Sequence, residues 1–243
     1  MEDQDSITTG SAMDGTLYVV ATPIGNLEDI TLRALRVLKS VDLIAAEDTR
    51  HTRKLLTHHG ISRPLVSYHD HNKVRQAPHL LAHLQQGRSV ALVTDAGTPG
   101  ISDPAYYLLQ TLLLHAIPVV PIPGPTAAIA ALSVAGLPTD RFVFEGFLPT
   151  KSGRRQQRLE LLRDEARTMV LYESPHRLVR LLQEVVTHMG PERRVVVARE
   201  LTKRFEELLR GTASEVLDSL QNRTVRGECT VLIAGRSTRH QAE

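Results

Sequence analysis

The run VTDAGTPGISDP, Val93 to Pro104, holds two glycines, two prolines, two aspartates, a serine and two threonines. It follows a strand-like apolar segment, Ser89 to Val93, and precedes a helical one, Ala105 to His115. Ordering such a loop costs conformational entropy, so it belongs where backbone must approach a partner closely. Three more loops follow apolar runs: ATPIGNLED (Ala21 to Asp29), AEDTRHTRK (Ala46 to Lys54, without glycine) and PIPGPTAA (Pro121 to Ala128). In a parallel sheet the carboxyl ends of all strands share one edge, and open α/β sheets bind ligands there. Any one loop could be only a tight strand-to-helix connection, but four together mark a site.

No G-x-G-x-x-G follows the first strand and no G-x-x-x-x-G-K-[ST] occurs, so neither a dinucleotide nor a nucleoside triphosphate is favoured. A ligand with a carboxylate, an adenine and a ribose suits main-chain amides and a helix N-terminus, which Pro125 and Thr126 should open. LYESPHR (Leu171 to Arg177) places Glu173, Ser174, His176 and Arg177 where a strand meets a helix. Ser174 is a good N-cap with Pro175 at the first helical position, which accounts for part of that motif. ARELTKRFEE (Ala198 to Glu207) likewise follows a strand and supplies Arg199, Glu200, Lys203 and Arg204. Lys151, Arg154, Arg155, Arg158 and Arg163 form a basic helix that could meet phosphates. The 11 histidines show no metal-ligand spacing, and the single cysteine, Cys229, excludes an intramolecular disulfide.

Positioning these residues requires repeated β-α units. Short apolar stretches alternate with amphipathic ones of helical spacing, which predicts α/β structure around a largely parallel sheet. Strands are expected at Leu17 to Ala21, Asp42 to Ala46, Pro64 to Ser67, Ser89 to Val93 and Ile117 to Pro121, completing one five-strand layer. A second unit opens with a strand at Arg141 to Glu145 and is less regular; Phe205 to Arg210 fits strand or helix equally. The expected division is a leader over 1–15, domains over 16–122 and 123–236, and a tail over 237–243. The leader is polar, with no apolar core of a signal or transit peptide. Tyr106 to Thr139 lacks Asp, Glu, Lys and Arg, but Pro118, Pro121, Pro123, Pro125 and Pro138 break it up, so no membrane span is expected. Lys and Arg number 29 against 27 Asp and Glu. Glu2, Asp3, Asp5 and Asp14 lie in the base-free leader, so the remainder is more basic and compatible with a polyanionic partner.

The strings TPIGNLEDITLRAL, AEDTRHTRKLL, DAGTPGISDP, PGPTAAIAAL, GFLP, LYESPHR and ARELTK, in that order from about Thr16 to Gly235, resemble a particular bacterial family. It comprises the 2′-O-ribose methyltransferases of small-subunit rRNA that act on a cytidine of the decoding region. It sits in the tetrapyrrole methylase superfamily, the class III S-adenosylmethionine enzymes with two α/β domains. The resemblance implies S-adenosylmethionine in the interdomain cleft, against Pro23, Ile24, Gly97, Thr98, Ile101, Thr126, Ala127 and Tyr172. It implies a ribose hydroxyl as nucleophile, for which Glu47, Asp48, Asp95, Glu173 and Lys203 are titratable candidates, Glu47 and Glu173 foremost. Contacts to RNA are expected from Arg50, Lys151, Arg154, Arg155, Arg158 and Lys203. The implied partner is small-subunit rRNA or the 30S particle, and the implied state is a cytoplasmic homodimer without metal. Two departures stand out: Thr98 replaces the Asp of the superfamily's G-D-P string, and RNA contacts of a longer C-terminal region are expected to be absent or replaced. A tetrapyrrole C-methyltransferase and a non-catalytic metabolite sensor are the alternatives.

Overall fold

The computed structural model describes residues 15–236, so the expected leader, apart from Gly15, and the expected tail lie outside the described residues. The chain divides into two units, Met1–Thr126 and Ala127–Glu243.

The first unit runs β1 (Leu17–Val20), α1 (Leu32–Ser40), β2 (Leu43–Ala46), α2 (Thr49–His58), β3 (Leu65–Ser67), α3 (Lys73–Gln85), β4 (Val90–Val93), α4 (Ala105–Leu113) and β5 (Val119–Ile122). Its sheet has the order β3-β2-β4-β1-β5, every pair parallel. The inner strands LYVV and VALV are buried throughout, as apolar runs covered on both faces must be. Helices α1 and α2 pack Ala34, Val37, Leu38, Leu55 and Leu56 on one face. Helices α3 and α4 pack Ala77, Leu80, Leu84, Leu108 and Leu112 on the other. Right-handed crossovers demand this sorting, because the chain moves from β1 to β3 toward one edge and from β3 to β5 toward the other. The direction reverses between neighbouring β1 and β4, which makes their carboxyl ends the switch point of the sheet.

At the opposite edge Asp42 and Ser89 clamp β2 to β4. Asp42 Oδ2 accepts from Ser89 N (2.7 Å) and Ser89 Oγ (2.8 Å). Those bonds, the backbone one foremost, hold the Asp42 carboxyl below its ordinary 3.8. A depressed acid stabilises the fold above its unfolded pKa and ceases to as pH falls through the folded value. Wild-type protein should therefore lose more stability than Asp42→Asn when urea unfolding is followed from neutral pH to below 3.8.

The second unit runs α5 (Ala127–Ala135), β6 (Phe142–Phe147), α6 (Ser152–Leu162), β7 (Thr168–Glu173), α7 (Pro175–Met189), β8 (Arg194–Arg199), β9 (Glu207–Thr212), α8 (Ala213–Gln221) and β10 (Cys229–Ile233). Here the less regular pattern expected takes a mixed form: in the order β6-β7-β10-β8-β9 only β6 and β7 are parallel. No helix joins β8 to β9, so the chain returns antiparallel, and β10 inserts between β7 and β8. The ambiguous Phe205 to Arg210 segment falls mainly in strand β9. Alternate residues face opposite sides: Met169, Leu171, Val195, Val197 and Val231 meet α6, α7 and α8, whereas Val170, Val196 and Leu232 meet α5. Helix α5 begins at Ala127, so Pro125 and Thr126 precede it rather than form its first turn.

Candidate functional site

The four loops do converge at the carboxyl edge of the first sheet. Thr22 N donates to Gly97 O (2.9 Å), Gly97 N donates to Thr22 O (3.0 Å), and Thr22 Oγ1 donates to Thr94 O (3.1 Å). These bonds join the loops after β1 and β4 at the switch point. Gly97 has φ +86°, and a Cβ there would lie 3.5 Å from Ile24 Cγ2 and 3.7 Å from Pro125 O. Only glycine adopts this conformation without strain. Thr98 Oγ1 donates to Pro125 O (3.2 Å), which adds the loop after β5. Gly124 is required for close approach, since a Cβ would come 2.9 Å from Ala21 Cβ. Thr94 Oγ1 donates to Glu47 Oε2 (2.7 Å) and Asp48 N donates to Asp95 Oδ1 (3.0 Å), which adds the loop after β2. Pro23 and Ile24 are buried in this junction, Thr98 and Thr126 are half-buried, and Ile101 is exposed.

The rim is acidic. Glu47, Tyr68, Thr94, Pro99, Asp103 and Pro104 line one recess. Burial pushes the Asp103 carboxyl up, opposed by its bonds from Ala105 N (2.8 Å) and Gly100 N (2.9 Å), and Glu47 adds repulsion. Burial likewise pushes Asp95 up, again with Glu47 contributing. Asp48 serves instead as the cap of α2, accepting from Arg50 N, and its bonds with the Arg50 side chain hold its carboxyl at about 2. That leaves Glu47 as the partly exposed carboxylate at the rim with a fixed hydroxyl donor.

In the second unit Tyr172 and Glu173 point to opposite faces of β7. Tyr172 joins the α5 side, where its ring lies 5.1 Å from Phe144 and 5.7 Å from Phe147. Glu173 lies on the α7 side, its side chain 0% exposed, 2.5 Å from Arg177 Nη2 and accepting from Ser174 N (2.7 Å). Glu173 Oε2 and Arg177 Nη1 have no hydrogen-bond partner among the described residues. Ser174 caps α7 through His176 N, as its motif suggested, and His176 itself is exposed.

The expected phosphate-binding cations fall into three groups. Lys151 and Arg154 are exposed, with no acidic partner among the described residues; Arg50 is exposed and joined to Asp48. Arg158 is shared with Glu145 (2.7 Å), and Lys203 with Glu200 (2.8 Å) and Glu228 (3.0 Å). Arg155 is corrected: its side chain is 1% exposed and grips Glu184 of α7 through Nε (2.5 Å) and Nη2 (2.7 Å), so it offers no surface charge. Helical phase could have revealed this, because Arg155 shares a face with the buried Leu159 and Leu162. Sequence reasoning also passed over Thr22, Thr94 and Asp103, which tie the rim together. Their signal was membership of the same loops.

The family model of the tetrapyrrole (corrin/porphyrin) methylases matches residues 16–217. A cobalt precorrin-4 methyltransferase has a TM-score of 0.66 at 18% identity, over 90% of this chain and 95% of the other. A uroporphyrin-III C-methyltransferase from Thermus thermophilus, complexed with S-adenosyl homocysteine, has 0.63 at 22%, over 91% and 97%. Both likenesses show the fold. Closer in sequence, a Synechocystis protein named ribosomal RNA small subunit methyltransferase I is 56% identical over 91% of this chain and 79% of its own. One of the same name from Escherichia coli O157:H7 is 52% identical over 93% and 80%. The chain belongs to the tetrapyrrole methylases and, within them, to the family of ribosomal RNA small subunit methyltransferase I.

Proposed function

We infer that this protein transfers a methyl group from S-adenosylmethionine to small-subunit rRNA, at the ribose 2′-hydroxyl of a cytidine in the decoding region. The observation that carries the donor assignment is the Thr22–Gly97 junction, a main-chain cradle at the switch point held by a glycine at φ +86°. The charge also suits it: a rim holding Glu47, Asp95 and Asp103 repels phosphates and favours a sulfonium and an α-amino group. Pro23, Ile24, Gly97, Thr98, Ile101 and Thr126 are the proposed donor contacts of the first unit, with Ala127 and Tyr172 as further contacts. The close relatives bearing the rRNA name support the nucleic-acid substrate.

When bound, the donor supplies a methyl carbon activated by its positive sulfur, so that C–O bond formation and C–S cleavage leave a neutral thioether. The protein must line up oxygen, carbon and sulfur and exclude water, and such alignment contributes up to about 7–11 kcal/mol. Glu47 takes the hydroxyl proton as general base, its Oε2 held by Thr94 Oγ1. Glu173 is the weaker candidate, because Arg177 and the Ser174 amide already engage it in a closed environment. Lys151, Arg154 and Arg50 attract the RNA backbone, with Arg158 and Lys203 contributing in proportion to the charge their partners leave. The cytoplasm and a homodimeric state are proposed from the family resemblance. No helix among the described residues is long and apolar enough to cross a membrane.

Transfer of tritiated methyl into small subunits that lack the modification tests the reading. Label should enter the RNA and disappear when the target cytidine is supplied as its 2′-deoxy analogue. Label on a base, or on a porphyrinoid only, would overturn it. Gly97→Val should weaken S-adenosylmethionine binding by at least about tenfold in calorimetric titration, from strain at positive φ and the filled cradle. Unchanged affinity would remove the donor from this rim.

A further inference from the structure

Three of the chain's four phenylalanines lie in one strand, β6, and the chain has no tryptophan. The register of β6 against β7 shifts between Phe144 and Gly146, so that Phe144 opposes Val170 and Phe147 opposes Tyr172. The extra residue, Glu145, turns to the other side and pairs with Arg158 of α6. Phe144, Tyr172 and Phe147 consequently share one face as a three-ring cluster. Tyr172 is half-buried within it, whereas Phe147 is 56% exposed at the end of the sheet's edge strand. The exposed ring thus has its position fixed by the packed Tyr172 behind it.

The surroundings indicate what covers it. Four residues beyond Phe147 the chain reaches Lys151, and then Arg154 in the first turn of α6, both exposed and without acidic partners among the described residues. An exposed ring and unpaired cations within a few residues along the chain are the combination that holds unpaired nucleic-acid strands: bases stack on rings and phosphates meet cations. Against a protein partner the cations would have to be neutralised or buried, and a double helix would offer no free base to stack.

We propose that Phe147, backed by Tyr172, is a stacking platform for an unpaired nucleobase of the RNA substrate, with Lys151 and Arg154 on the adjoining phosphates. This rests on the rRNA reading above and adds a specificity-determining residue to it. The platform recognises the flat face of a base, so it selects an unstacked nucleotide rather than a particular base edge.

Phe147→Trp places the chain's sole tryptophan on the platform. Its emission should be quenched by a short single-stranded oligoribonucleotide, and unchanged by an abasic oligomer of the same backbone. Phe147→Leu keeps an apolar side chain but not the stacking surface. It should raise KM for small-subunit RNA roughly tenfold and leave S-adenosylmethionine affinity and thermal stability unchanged, with Phe147→Trp restoring KM. The proposal is overturned if the oligomer binds without altering the emission, or if Phe147→Leu leaves the RNA KM unchanged. The rRNA reading fails separately if wild-type protein moves no methyl group to the RNA, since the emission titration requires no transfer. Failure of both proteins to bind the oligomer or small-subunit RNA overturns the two together.

Discussion

Glu47→Gln lowers the single-turnover rate of methyl transfer by about 10²- to 10⁴-fold, the range for loss of a positioned general base. Glutamine keeps the shape of glutamate and can still accept the Thr94 hydroxyl, so the recess should retain its geometry. S-adenosylmethionine affinity should change little, which separates loss of proton transfer from loss of the donor. Glu173→Gln provides the contrast. It disturbs an ion pair with Arg177 that ties the end of β7 to α7, so its main effect should be on unfolding. A Glu47→Gln rate within a few-fold of wild type would remove Glu47 from the chemistry, and a larger rate loss in Glu173→Gln would transfer the role.

Arg155→Ala destabilises the second unit by about 3–5 kcal/mol, because it leaves Glu184 as a buried carboxylate without its principal partner. Arg180 cannot replace it, being largely exposed and only 3.3 Å from Glu184 Oε1 through a single nitrogen. Replacing both members, as Arg155→Met with Glu184→Leu, should recover most of the loss, since a buried pair is often matched by apolar residues of similar volume. Denaturant unfolding of the single and double variants measures the difference. The folded double variant should bind RNA as wild type does, which a phosphate-contacting Arg155 would not allow.

The first sheet was legible because its logic is local. Each apolar run of β1, β2 and β4 is followed by a loop and a helix that packs back on the sheet, and right-handed crossover then dictates faces and edge. The rim followed from the same reasoning, since parallel strands leave their carboxyl ends no other place. The second sheet was not, because the periodicity of Arg194 to Ala198 or Cys229 to Ala234 says nothing about which strand each will pair with. Antiparallel order there depends on the helix-free return from β8 to β9 and on β10 entering last. Charge was the least legible property. Arg154 and Arg155 are neighbours of identical chemistry, yet one stands in water and the other is sealed against a residue 29 positions away. At Tyr172 and Glu173 the motif suggested joint action, but strand alternation sends them to different sides.

The irregularity in β6 has a reach beyond its own strand. Gly146 sits at φ +61°, and with Glu145 it occupies the space where the neighbouring strand advances a single step. Keeping Glu145 and Gly146 in strict alternation would swing everything beyond them through half a turn and carry Phe147 to the α6 side, whereas excising Glu145 would leave Phe147 opposite Tyr172 and free Arg158 of its carboxylate. The strand thus works like a vernier: the bulge takes up one surplus residue so that the GFLP segment keeps its side of the sheet, and a regular strand of the same length would address the other.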